Sequence, residues 1–161
     1  MTLMDIQSRR EWFGKVAWFG ALSALLPSSA SSQNTPSRRH IKNPAAQSRA
    51  YSQAVITQGG TTIWLAGQTA PVDESGKALD FEGQVRLLFS RFGQTLQEAG
   101  GQLSDIVTMT VFLTDIRNAE QFLRIRREIF GDNFPASATM NITALIPPLA
   151  LIEIQAVAVV G

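Results

Sequence analysis

Glu153 is a single charge inside Leu151-Ile152-Glu153-Ile154-Gln155-Ala156-Val157-Ala158, a run otherwise built like a buried strand. Taken alone, it reads equally well as a working carboxylate and as a surface-facing strand position. Three other segments also carry residues that periodicity does not explain. Tyr51-Ser52-Gln53-Ala54 opens a strand. Ala66-Gly67-Gln68 closes one, and a glycine there lets a ligand or another chain approach the backbone closely. Phe134-Pro135-Ala136-Ser137-Ala138-Thr139 leads two hydroxyls into another. The chain has no cysteine and one histidine, His40, which removes disulfides, thiolate ligands, cysteine nucleophiles and multi-histidine metal sites. What remains is the chemistry of carboxylates, arginines, hydroxyls and backbone groups. Without a histidine base to activate it, Ser137 reads as a lining residue, not a nucleophile.

The elements that must position these residues follow from residue type and spacing. Residues 54–57 and 61–66 read as strands around the Gly59-Gly60 turn, naturally a hairpin. Residues 73–76 form a second turn cluster. Asp80 caps a helix whose apolar positions, Val85, Leu88, Phe89, Phe92, Leu96 and Ala99, step along one face, and Gly100-Gly101 stops it. Residues 106–113 are a mostly buried strand. Asn118 with Gln121 suggests a capping box for a second helix carrying Phe122, Leu123, Ile125, Ile129 and Phe130. Arg124, Arg126 and Arg127 read as its solvated face, with stems packed along the domain. Residues 138–144 and 151–159 complete the pattern as strands, joined by a loop holding Pro147-Pro148. The order is β-β-α-β-α-β-β, an α+β domain whose two helices cover one face of one sheet. The bare face calls for oligomerisation.

Ahead of the domain, Ser8-Arg9-Arg10-Glu11-Trp12-Phe13 precedes an apolar stretch at 16–26 and the small residues Pro27-Ser28-Ser29-Ala30. A basic start, a short apolar segment and a small-residue cleavage site make a secretory signal, and the paired arginines resemble the twin-arginine export motif. The stretch is about half the roughly 20 residues needed to cross a bilayer, so no stable membrane anchor is expected. An amphipathic helix packed on the domain and an uncleaved tether are the alternatives. The expected organisation is a signal peptide at 1–30, a flexible linker at 31–48 and the domain at 49–161. His40 then falls in the linker as a solvated residue. Loss of residues 1–30 removes three basic and two acidic residues and leaves eleven of each. That balance offers no electrostatic footprint for nucleic acid.

The combination of Tyr51-Ser52-Gln53-Ala54, Gly67-Gln68, Thr110-Val111-Phe112-Leu113-Thr114-Asp115, Phe134-Pro135-Ala136 and Ile152-Glu153-Ile154-Gln155-Ala156-Val157-Ala158 resembles the Rid family. These are the reactive intermediate deaminases, also called RidA-like or YjgF-like, with a chorismate-mutase-like fold. The resemblance runs from about residue 49 to 159. It implies a homotrimer with small-molecule clefts at the subunit interfaces. It also implies hydrolysis of enamines and imines to 2-oxo acids and ammonia, with no cofactor and no metal. Carried over by position, Tyr51 is the cleft tyrosine that packs on the substrate, and Gly67 borders the ligand with its backbone. Glu153 holds or activates the attacking water, and Thr139 is a small cleft residue. Ser137 stands where deaminating members carry an arginine. A guanidinium grips a carboxylate with two charge-assisted hydrogen bonds, whereas serine offers one neutral donor. The difference is about 1.5–3 kcal/mol, roughly ten- to a hundredfold in binding. Arg49 or one of the second helix's arginines is a candidate replacement. Leu123 stands where some members have asparagine, and Ala50 replaces a common proline, a minor change in loop stiffness. These features imply a periplasmic hydrolase tolerant of substrates without a carboxylate, or alternatively a non-catalytic metabolite-binding or chaperone-like trimer. Partners are the twin-arginine machinery and a small-molecule ligand.

Overall fold

The computed structural model describes residues 35–161; the expected export signal at 1–30 lies outside the described residues. In chain order the elements are β1 (Ser37–Ile41), α1 (Pro44–Ser48), β2 (Ala54–Gln58), β3 (Thr61–Gln68), α2 (Phe81–Glu98), β4 (Ile106–Leu113), α3 (Ala119–Phe130), β5 (Ala136–Asn141) and β6 (Ile152–Val160). Short 3-10 turns lie at Leu103–Asp105 and Ile116–Asn118. The architecture is α+β, as the residue pattern predicts.

Asp80 starts α2 by accepting from the Gly83 amide at 2.8 Å, and Gly100, at φ +77°, ends it. Leu88, Phe92 and Leu96 are fully buried at four-residue steps, each worth about 1.5–3 kcal/mol of apolar burial. Gln84 lies one step earlier on the same row. Its amide donates to the carbonyls of Leu79 and Leu149, and its oxygen accepts from the Leu151 amide. This buried side chain thereby ties the loop before β6 to α2.

The main sheet has the order β3-β6-β4-β5, antiparallel except for the parallel β4–β5 pair. Met109, Val111 and Leu113 of β4 and Ile152, Ile154 and Ala156 of β6 join α2 and α3 in one core. The alternate residues face away from the helices; of these Thr108 and Gln155 are exposed, and Thr110, Phe112, Glu153 and Val157 are half-buried. Trp64 of β3, paired with Val157, is 80% exposed on that bare face.

Three expectations need correction. Residues 37–48 are not linker: they form β1 and α1. Composition misleads here because β1 is held by polar side chains with distant partners. Arg38 pairs with Asp105 at 2.7 Å and donates to the Val159 carbonyl at 2.5 Å. His40 is half-buried, with Nδ1 at 3.0 Å from the Phe134 carbonyl, and is not a solvated residue. Second, β2 and β3 do not form a paired hairpin, and the strands do not share one sheet. β2 pairs with β1, while β3 pairs with β6, so the strands diverge after the left-handed Gly59 and Gly60. Third, Asn118 makes no capping bond. Asp115 accepts from the Arg117 amide, and Gln121 donates instead to Glu82 on α2 at 3.3 Å. The fourth and fifth predicted strands, 138–144 and 151–159, shift to Ala136–Asn141 and Ile152–Val160.

Candidate functional site

The segment before β2 is built to present Tyr51. Pro44 starts α1 behind an Asn43 cap that accepts from the Ala46 amide at 2.7 Å. The helix ends with Ala50 in the left-handed region, at φ 54°. The Ala50 amide bonds the Gln47 carbonyl and the Tyr51 amide bonds the Ala46 carbonyl, closing the last turn. Proline cannot adopt this φ, so Ala50 is more than a change in stiffness. Ser52 is buried; its amide donates to the Pro135 carbonyl at 3.1 Å and its hydroxyl to the Phe134 carbonyl at 2.6 Å. Tyr51 is thereby fixed beside the start of β5.

A cavity of about 340 Å³ opens there, between α3 and β5. Tyr51, Arg126, Ser137 and Thr139 line it, with Phe122 and Leu123 supplying apolar wall. Arg49 and Glu120 bring exposed charges to its edge.

Arg126 is the residue that the sequence reading misplaced. It is 2% exposed, not part of a solvated face. One terminal nitrogen donates to Ser137 Oγ at 2.9 Å and the other to the Arg49 carbonyl at 2.6 Å. Its guanidinium carbon lies 5.0 Å from the centre of the Phe122 ring, a favourable cation–π distance. Burial, and after it the neighbouring charge of Arg127, push its pKa down to about 10. Arg127 donates to the Ser48 carbonyl, so two arginines of α3 hold the C-terminal end of α1. A signal for this was present: Phe122, Arg126 and Phe130 recur at four-residue steps, on the buried row of the helix.

Glu153 and Gly67 are together, but elsewhere. A side chain at position 67 would overlap Glu153 Oε1, so the glycine leaves room for the carboxylate. Strand register explains the separation. Ser137 and Thr139 pair with Met109 and Val111, whose side chains are buried beneath the helices. Glu153 pairs with Phe112, on the alternate, bare face. Paired residues share a face and neighbours along a strand alternate. Tyr51, Ser137 and Thr139 therefore serve one side of the sheet, and Glu153 with Gly67 the other.

A sequence model of the family described as endoribonuclease L-PSP matches residues 40–160. Human 2-iminobutanoate/2-iminopropanoate deaminase is 34% identical over 113 residues, covering 69% of this chain and 80% of that protein. A RutC family protein of Aquifex aeolicus (strain VF5) is 35% identical over 126 residues, covering 75% of this chain and 98% of its own. Among solved structures, YyfB, a Rid-family protein of unknown function from Yersinia pestis, aligns with a TM-score of 0.67 over 76% of this chain and 98% of that one. At 23% identity, this likeness concerns the fold. YyfA of the same organism and family aligns with a TM-score of 0.57 at 32% identity, over 77% of this chain and all of the other. A match across most of the chain, joined to relatives above 30% identity, means that this chain belongs to the endoribonuclease L-PSP family, the family of the Rid (YjgF-like) proteins.

Proposed function

We propose that the protein is a Rid-type hydrolase, converting enamines or imines to an oxo compound and ammonia in clefts between neighbouring copies of a homotrimer. The observation that carries this reading is the division of candidate groups between two faces of one sheet. A second copy, its bare face set against the cavity edge of the first, brings Glu153 and Gly67 to Tyr51, Ser137 and Thr139. The same contact covers Trp64. The likeness to the human imine deaminase supports the reaction class.

In such a cleft the Tyr51 ring packs on the substrate and its hydroxyl hydrogen-bonds it. Glu153 takes a proton from a water whose oxygen bonds to the imine carbon. The C=N π pair moves to nitrogen, which gains a proton. The proton lost by the hydroxyl of the resulting amino alcohol is matched by a second proton gained at nitrogen, the carbonyl forms, the C–N bond breaks and ammonia leaves. An enamine enters the same route after protonation at carbon. The whole sequence consumes one water and otherwise moves only protons.

The reading extends to location. Arg9-Arg10 ahead of Trp12-Phe13, and the small residues ending at Ala30, support twin-arginine export to the periplasm and cleavage of the signal. The balanced charge of residues 31–161 favours a small-molecule ligand over nucleic acid.

The direct test generates imines from several amino acids with an amino-acid oxidase and traps them with semicarbazide. Faster loss of imine with the protein, absent in Glu153→Gln, supports the reading; no acceleration on any of them makes the trimer a binding protein. Replacing Arg9 and Arg10 by lysine should leave the protein in the cytoplasm, and continued periplasmic recovery would overturn the export route.

A further inference from the structure

Arg126 carries a charge that the described residues do not neutralise. It is 98% buried, since only 2% of it is exposed. Its Nε has no hydrogen-bond partner, and its terminal nitrogens reach a hydroxyl and a carbonyl. No carboxylate among the described residues forms an ion pair with it. Glu120, which also lines the cavity, is exposed, and water screens its charge. A cation buried without a counter-charge is costly. The cost falls when an anion enters the cavity beside it.

The hydrogen-bond direction adds chemistry. A guanidinium has donors and no acceptor, so in the 2.9 Å contact Ser137 Oγ accepts. The serine's own O–H is then left to donate, and Ser137 lines the cavity. It is a neutral donor with a full positive charge bonded to its oxygen, which polarises it toward an anion.

We infer that Ser137 and Arg126 together form the carboxylate-binding site of the cleft. Ser137 makes the contact, and Arg126, as a positioning residue, orients the hydroxyl and supplies the charge. This rests on the reading of the cavity as a substrate cleft, and it narrows the substrate class to imines and enamines that carry a carboxylate next to the reacting carbon.

The test uses the assembled protein and two probes of equal carbon skeleton, 2-oxobutanoate and butanone, titrated by calorimetry or NMR. Wild type should bind 2-oxobutanoate the more tightly. Ser137→Ala should weaken 2-oxobutanoate about tenfold or more, and leave butanone unchanged. Arg126→Gln should do the same, with Arg126→Lys restoring part of the preference, a rescue that a merely structural role would not give. Thermal unfolding identifies any variant that fails to fold, and Ser137→Ala keeps the test open if both Arg126 variants do. Undiminished preference for 2-oxobutanoate in folded Ser137→Ala and Arg126→Lys overturns the inference. Imine hydrolysis separates it from the broader reading. A protein that hydrolyses imines with variant-independent carboxylate preference refutes the pair and keeps the hydrolase. One that shows the binding pattern without turnover keeps the pair and refutes the hydrolase.

Discussion

The Glu153 carboxylate occupies the space that any side chain at Gly67 would fill. Gly67 is not at a positive φ, so the glycine serves for room and not for backbone freedom. Its neighbour is the tip of a flexible side chain, which can swing aside. Gly67→Ala should therefore fold with nearly wild-type stability and lose activity, about a hundredfold for a displacement near 1 Å. Glu153→Gln, which keeps the shape and removes the proton acceptor, should lose about 10²–10⁴-fold. Steady-state kinetics beside a thermal melt separates the two effects; an active Gly67→Ala protein would remove Glu153 from the chemistry.

Ala50 offers a test of the segment that presents Tyr51. Its φ of 54° is closed to proline, and its amide bonds the Gln47 carbonyl. Ala50→Pro should destabilise the protein by about 3 kcal/mol, read as a lower urea midpoint. A neutral result would mean that the end of α1 adopts a different turn in solution.

The helix pair should show a defined acid response. Hydrogen bonds from Arg86 first, then Arg124 and Gln121, lower the pKa of Glu82 from 4.5 to about 2. A depressed folded-state pKa means that the unfolded chain binds more protons between these values. The contribution of Glu82 is complete above about 4.5 and disappears as pH falls toward 2. Glu82→Gln should thus unfold at a lower temperature than wild type at pH 7, with the gap closing near pH 2. A gap of equal size at both values would assign the effect to packing.

Assembly can be followed through Trp64. On the proposed export and cleavage, Trp12 and Trp18 leave with residues 1–30, and Trp64 is the single tryptophan of residues 31–161. The wild type should measure as a trimer by light scattering with blue-shifted emission, and Trp64→Arg as a smaller species with red-shifted emission. A monomeric wild type would refute the shared cleft.

Legibility in the sequence tracked the distance over which each residue finds its partner. α2 was plain because its cap, its apolar row and its stop are all local. β4 and β6 were plain because each is apolar over most of its length. β1 was invisible: Arg38 and His40 find their partners in Asp105, Val159 and Phe134, about 65 to 120 positions away. Arg126 was misread for the opposite reason. Its place on the Phe122–Phe130 row was readable, but its charge outweighed its spacing. The pairing of Gly67 with Glu153, and their separation from Ser137, depend on strand register, which no single segment encodes.

The two-sided sheet also has a genetic consequence. If each cleft takes its cavity from one chain and its carboxylate from the next, a chain with Glu153→Gln still offers an intact cavity half. A chain carrying Ser137→Ala and Tyr51→Phe still offers an intact carboxylate half. Co-expressed, these two impaired proteins should form mixed trimers in which some clefts draw both halves from unaltered positions. Activity should then reappear that neither shows alone, while mixing already assembled homotrimers, without subunit exchange, should recover none.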